Sequence, residues 1–265
     1  MMKFPAVFLG HGSPMNAIEH DNRFNQNFTA LGQAITARFG TPKAILMVSA
    51  HWHGKSLRVM TGENNPIIYD FYGFPDELYQ VQYPAKGSTA LAQQVMTLLA
   101  DFGVVGDDSR GLDHGAWAVL KHMYPTANIP VVQLSLHLGK PMDWHWQLAQ
   151  CLATLRDEGV LIMGSGNIVH NLAAMRADIA YPWAQQFASQ INQAIHTQDI
   201  QTLTNIDELG ESAKLSVPVP YEHYLPLLYV LGVRDEMDRL CIFNDEIVLG
   251  SLSMTSVVVG MDIVN

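Results

Sequence analysis

Histidine is the residue type around which this chain can organise chemistry. Eleven are present, and four stand at the ends of apolar runs or in turns of small residues. His11 lies in Val7-Phe8-Leu9-Gly10-His11-Gly12-Ser13-Pro14, and His51 in Ser49-Ala50-His51-Trp52-His53-Gly54. His170 lies in Gly164-Ser165-Gly166-Asn167-Ile168-Val169-His170-Asn171, and His223 in Pro220-Tyr221-Glu222-His223-Tyr224-Leu225-Pro226. An apolar run that stops on glycine and proline is how a buried strand ends in a tight loop. Open α/β sheets gather ligands at the carboxyl ends of their strands, so residues distant in sequence meet there. Imidazole suits Fe, Zn, Cu and Ni, and several rings on one rim with carboxylates nearby point to a mononuclear metal site. The glycines flanking His11 read as room for a metal or ligand beside its ring.

The spacing matches no HExxH or CxxC type of signature, so the argument rests on position in the fold. His53 follows His51 at the interval that shares one strand face and competes with it as a ligand. Glu222 competes in the same way with His223, because adjacent side chains diverge and both are not expected on one metal. His114, in Gly111-Leu112-Asp113-His114-Gly115, leads into a short helix. His20, His122, His137, His145 and His196 read as solvent-facing or ordinary hydrogen-bonded residues. Gly164-Ser165-Gly166 resembles the start of a dinucleotide loop, but Val169 takes the third glycine position. Ser13 and Ser165 sit beside glycines without the GxSxG elbow of a serine hydrolase.

The elements that must position these residues alternate along the chain. Strands are expected at 4–9, 44–49, 57–61, 129–136 and 160–163, with two further β-rich runs, Glu246 to Ser251 and Ser256 to Val264, suited to neighbouring strands. Helices are expected at Phe24 to Phe39, Ser88 to Phe102, Trp144 to Arg156 and Trp183 to Thr197, closed by signals such as Gly40 and Gly103. Tyr69-Asp70-Phe71-Tyr72-Gly73-Phe74-Pro75 reads as an aromatic loop, either packing or a pocket wall. No composition shift, repeat or linker divides residues 1–265, which read as a single α/β catalytic domain.

With 265 residues, 48% hydrophobic and only 15% charged, the chain can bury a full core. A net charge of -10, with 15 Lys and Arg in no cluster, argues against a nucleic-acid partner. No segment reads as a membrane span or signal sequence, which argues against a membrane partner. Two cysteines, Cys151 and Cys241, make neither a disulfide framework nor a Cys-rich zinc site, and a cytoplasmic location is expected.

Taken together, Leu9-Gly10-His11-Gly12-Ser13-Pro14, Ser49-Ala50-His51-Trp52, Asp113-His114-Gly115, Ser165-Gly166-Asn167-Ile168-Val169-His170-Asn171 and Glu222-His223-Tyr224-Leu225-Pro226-Leu227 resemble the signature blocks of class III extradiol ring-cleaving dioxygenases. Within these they resemble the DOPA 4,5-dioxygenase branch. The resemblance implies a three-layer α/β/α domain with a central mixed, mainly parallel sheet and one non-haem metal. His11, His51 and His223 are similar to that family's metal ligands. His170 is similar to its acid/base histidine, with a fourth-ligand role as the alternative, and His114 to one lining the substrate pocket, where it is expected to serve as a hydrogen-bond donor to the substrate or superoxide. Fe(2+) is implied for activity, and Zn(2+) could occupy the same all-histidine site. The implied partners are a catechol and dioxygen, and the implied product of 4,5-cleavage is a seco semialdehyde. Phe71, Tyr72, Phe74 and Tyr221 are expected to wall the ring. A zinc-dependent hydrolase using the same histidines to activate water is the competing reading.

Overall fold

A computed structural model describes residues 2–262. The apolar runs become strands β1 (Ala6–Gly10), β2 (Ala44–Gly54), β3 (Arg58–Met60), β4 (Val105–Asp107), β5 (Val131–His137), β6 (Val160–Gly166) and β7 (Leu240–Phe243). Three short C-terminal strands follow, β8 (Ile247–Val248), β9 (Leu252–Ser253) and β10 (Ser256–Val259). Eight strands form one sheet in the order β4-β3-β5-β2-β6-β1-β10-β7. Its centre, β5-β2-β6-β1, is parallel, while β10 runs antiparallel to both β1 and β7, and β3 antiparallel to β5.

Continuous apolar runs suit these central strands because helices cover both of their faces. The helices are α1 (Arg23–Phe39), α2 (Thr89–Leu98), α3 (His114–Met123), α4 (Met142–Cys151), α5 (Pro182–Thr197), α6 (Ile200–Thr204), α7 (Glu211–Ser216) and α8 (Leu225–Gly232). Alternate strand residues feed opposite cores, as the two-residue period of a strand requires. Phe8, Leu46, Val48 and Ile162 pack with Val95 of α2, Leu148 of α4, Phe187 of α5 and Leu228 of α8. Val7, Leu9, Ile45, Met47 and Leu161 pack with Phe28 and Leu31 of α1 and Trp117 of α3. The result is an α/β/α sandwich whose parallel strands point their carboxyl ends at one edge.

The structure differs from the sequence reading in identifiable places. The expected helix over 144–156 starts earlier and ends at Cys151, and a 3-10 stretch, Ala153–Glu158, carries the chain on. The run from Glu246 to Ser251 does not pair with the run that begins at Ser256. Leu249 and Gly250 both have positive φ, which turns β8 back onto β9, while β10 inserts between β1 and β7. Ile263 and Val264 of that second run lie outside the described residues. Helix α8 is buried on every side, so it has no amphipathic period to betray it.

Helix α8 and the turn before it lie directly on β6. A side chain at Gly164 would place its Cβ 2.5 Å from the Pro226 carbonyl oxygen, and one at Gly166 would strike the His223 carbonyl. The glycines of Gly164-Ser165-Gly166 thus serve a close approach of two backbones. Gly166→Ala is expected to overpack this contact and lower stability by about 1–3 kcal/mol. Chemical denaturation checks this, and an unchanged midpoint would contradict it.

Candidate metal centre

The carboxyl-end edge of the sheet collects the histidines. His11 follows β1, and its backbone N–H donates to the Gly166 carbonyl at 3.1 Å. His51 sits near the end of β2, within the register shift between Val48 and His53. His114 is the first residue of α3, His170 lies in the loop after β6, and His223 precedes α8, its carbonyl accepting from the Asn167 N–H at 2.8 Å. Ring centroids are 5.0 Å apart for His11 and His51, 5.2 Å for His11 and His223, and 4.9 Å for His51 and His223. His114 lies 4.0 Å from His51, and His170 stacks on His223 at 3.4 Å with only 5° between planes. The five expected histidines therefore share one pocket, and His53 is exposed outside it.

The hydrogen bonds decide which ring nitrogen of each histidine faces inward. The Ser165 hydroxyl donates to the Gly115 carbonyl at 2.5 Å, so its oxygen is left to accept from His11 Nδ1, 3.0 Å away. That puts the proton of neutral His11 on Nδ1 and a lone pair on Nε2. Glu222 Oε1 accepts from His223 Nδ1 at 3.0 Å, which leaves His223 Nε2 a buried acceptor with no partner. His51 Nδ1 faces Asp70 Oδ2 at 3.5 Å, and its Nε2 lies 3.3 Å from His11 Nε2. With the His11 lone pair on Nε2, His51 Nε2–H can donate across this gap, and a cation that binds there takes the place of that proton. Metal–nitrogen bonds of about 2.0–2.1 Å set neighbouring ligand nitrogens roughly 3.0–3.4 Å apart, so the donor set fits a metal ion. One donor atom from each of His11, His51 and His223 lies within 4.8 Å of the others.

Burial keeps His11, His51, His170 and His223 uncharged near neutral pH. His11 and His223 are held well below the ordinary imidazole value by loss of water and then by the surrounding histidines. Burial and next His114 lower His51 to about 4, and burial and next His51 lower His170 to about 4. Neutral imidazole is the form that binds metal.

Two carboxylates stand behind the rings. Asp70 Oδ1 accepts from both the backbone N–H and Nδ1 of His114, each at 2.9 Å. Burial alone would raise the Asp70 carboxyl, but the hydrogen bonds from the His114 ring and backbone, with the neighbouring imidazoles, outweigh it and hold it at about 2. Asp113 is fully buried and caps α3 through Ala116 N–H. It also accepts from the Ser49 hydroxyl at 2.6 Å, from Gln133 and from Arg110. Arg110 in turn donates to the His51 carbonyl at 3.1 Å, tying β2 to the start of α3.

Sequence reasoning missed Asp70, Asp113 and Ser165 as parts of this assembly. Asp70 sits in a loop noticed only for its aromatics, though an acid inside a dense aromatic run was the available signal. The glycines beside His11 also have another purpose. A Cβ at Gly10 would lie 2.6 Å from the Met254 backbone, and Gly12, at φ +63°, abuts Asn16 Nδ2 at 2.6 Å. Asn16 Nδ2 donates to the His11 carbonyl at 2.7 Å, so the space is filled by protein that clamps the loop. Of the expected ring walls, Phe71 lies edge-on to His114 at 5.6 Å and packs on Phe74. Tyr72 is 91% exposed, and the Tyr221 hydroxyl turns away to Asp207. His122 and His145 are buried and hydrogen-bonded, to the Asn16 carbonyl and the Tyr229 hydroxyl respectively.

Neutral histidines converging at the strand ends of a mixed α/β/α sheet define a candidate metal centre, and the comparisons with known proteins supply its class. Residues 5–249 match the catalytic LigB subunit of aromatic ring-opening dioxygenase, and the chain belongs to that family of extradiol dioxygenases. It is 45% identical over 264 residues to an Escherichia coli K12 protein named 4,5-DOPA dioxygenase extradiol, covering 97% of this chain and 95% of that one. A Beta vulgaris protein of the same name is 40% identical over 88% of this chain and 87% of its own. A crystal structure of an uncharacterized Escherichia coli K12 protein superposes with a TM-score of 0.83 at 41% identity, over 96% of this chain and 99% of that one.

Ser165→Ala would leave His11 Nδ1 unpaired and its tautomer unset. Zinc affinity, read by competition with a chromophoric chelator, is expected to fall about 10–100-fold, and unchanged affinity would contradict the assigned bond. Acid provides a second check. The folded values of His51 and His170 lie below the unfolded value of 6.5, so the unfolded chain binds more protons between the two. Metal-free protein should hold its stability above about pH 6.5 and lose it as pH falls toward about 4. Thermal unfolding in chelator tests this, and a flat melting temperature across that window would refute it.

Proposed function

We propose that the chain, acting over residues 1–265 as one catalytic domain, opens the ring of a catechol such as DOPA by 4,5-cleavage to a seco semialdehyde. The proposed ligands are His11, His51 and His223 through Nε2, the proposed metal is Fe(II), and Zn(II) can take the same nitrogens. The observation that carries this reading is the convergence of three imidazoles, with Nδ1 of His11 and His223 tied outward by Ser165 and Glu222 and Nδ1 of His51 facing Asp70. Glu222 is assigned to orienting His223, because its Oε1 is engaged with Nδ1 of that ring. The relatives named 4,5-DOPA dioxygenase extradiol support the choice of substrate class.

Fe(II) at these nitrogens would acidify a chelated catechol and bring dioxygen beside it, making the reaction effectively intramolecular. The protein's own part is positioning and proton handling. His170, uncharged and stacked on His223, is suited to accept a catechol proton and return it later to the opened ring. Phe71 borders the pocket beside His114 and helps exclude water. The chain's acidity and lack of clustered bases fit a small-molecule substrate, and its two free cysteines fit the cytoplasm. Among the described residues no helix is long and apolar enough to cross a membrane.

The test is anaerobic reconstitution with Fe(II), followed by air and a panel of catechols, with oxygen uptake and the absorbance of the ring-opened product recorded together. One dioxygen per ring opened is expected, and His170→Ala should lower kcat about 10²–10⁴-fold while retaining metal. No oxygen uptake with any catechol, in protein shown to hold Fe(II), would overturn the reading. Oxygen-independent ester or amide hydrolysis with zinc would replace it with the hydrolase alternative.

A further inference from the structure

Asp70 is the carboxylate in the pocket whose two oxygens face two different rings. Oδ1 takes both the backbone N–H and Nδ1 of His114 at 2.9 Å, and Oδ2 lies 3.5 Å from His51 Nδ1. Its own side chain is 22% exposed, whereas that of His114 is 6% exposed. The His114 backbone N–H belongs to the first turn of α3, where amides have no partner within the helix and a negative group is favoured. The Tyr69–Pro75 loop is therefore pinned to the helix by the residue that also engages the ring. The loop's aromatics reinforce that position, since Phe71 packs against Trp117 of α3 at 6.1 Å and against His114.

A carboxylate can only accept. With Nδ1 of His114 donating to Asp70, a neutral His114 has its lone pair on Nε2, the nitrogen left to meet a substrate. We infer that Asp70 is a positioning residue that fixes His114 as a hydrogen-bond acceptor toward a substrate hydroxyl and steadies the His51 ring beside it. This rests on the proposed ring-opening function for the substrate, but the tautomer itself does not. It reverses the donor role expected of His114 from the sequence. A neutral ring cannot donate from Nε2 while its single proton is held at Nδ1.

Long-range ¹H–¹⁵N spectra of the histidine rings in metal-free protein read the tautomer directly, with His114 assigned by its loss in His114→Asn. The wild type should show His114 protonated at Nδ1, and Asp70→Ala should shift it to a mixture with Nε2. Asp70→Asn keeps an oxygen that can accept both N–H groups, so it should preserve the tautomer. With Fe(II) and a catechol, Asp70→Ala should lower kcat about 10–100-fold, and Asp70→Asn should recover part of that loss. A role confined to holding the loop predicts an unchanged tautomer in Asp70→Ala, which would overturn the inference. So would a proton on Nε2 in the wild type, a result that needs no variant to fold. If wild-type protein consumes no oxygen with any catechol, the proposed function fails and takes the substrate half of the inference with it. The ring spectra still decide the clamp.

Discussion

Five imidazoles packed into one largely dry pocket impose a constraint that organises everything around them. Charged rings at these separations would repel one another, burial holds His11, His51, His170 and His223 neutral, and a neutral ring has a single N–H to place. The structure places those protons outward where it engages the rings. Ser165 takes the one on His11, Glu222 the one on His223 and Asp70 the one on His114. What remains at the centre is the His11 Nε2 lone pair, 3.3 Å from His51 Nε2, and the His223 Nε2 lone pair, buried without a partner. The unpartnered His223 nitrogen is costly in a buried site and gains a partner once a cation is present.

The fold meets this constraint through backbone proximity. Parallel strands β1, β2 and β6 bring His11, His51 and Ser165 to one edge in register, with Leu9 opposite Ser165 and Ser49 opposite Ser165 on its other side. Helix α8 must then come close enough to deliver His223, and only glycine at 164 and 166 permits it. Asp113 does the corresponding work for α3, joining Ser49, Gln133 and Arg110 to the helix start so that His114 has a fixed origin. Residues outside the candidate metal centre thus set where its imidazoles stand.

Much of this was legible in the residues themselves. His11, His51, His170 and His223 could be singled out because strand ends have a recognisable grammar of apolar run, small residue and turn, and the central strands followed from their continuous hydrophobicity. The missing parts have physical reasons. Helix α8 carries no polar face, and β4 and β7 are short strands at the sheet's two edges, so neither period nor length announces them. Asp70 and Ser165 gain meaning only from what they face across the pocket, information that chain order does not contain. The glycines around His11 were visible, but their reason was not, since Met254 and Asn16 come from elsewhere in the chain. Glu222 against His223 could not be resolved by spacing, because the two differ in which nitrogen or oxygen turns inward.

In the proposed site three imidazoles hold the metal, and Glu222 and Asp70 face the rings and not the ion. Anomalous diffraction from crystals of the Fe(II)-loaded protein, grown without oxygen, tests it most directly. The account predicts one strong iron peak bonded to Nε2 of His11, His51 and His223, with Glu222 Oε1 still on His223 Nδ1 and Asp70 still on His114. A peak bonded to a Glu222 oxygen in place of His223, or one centred away from these three rings, would contradict it.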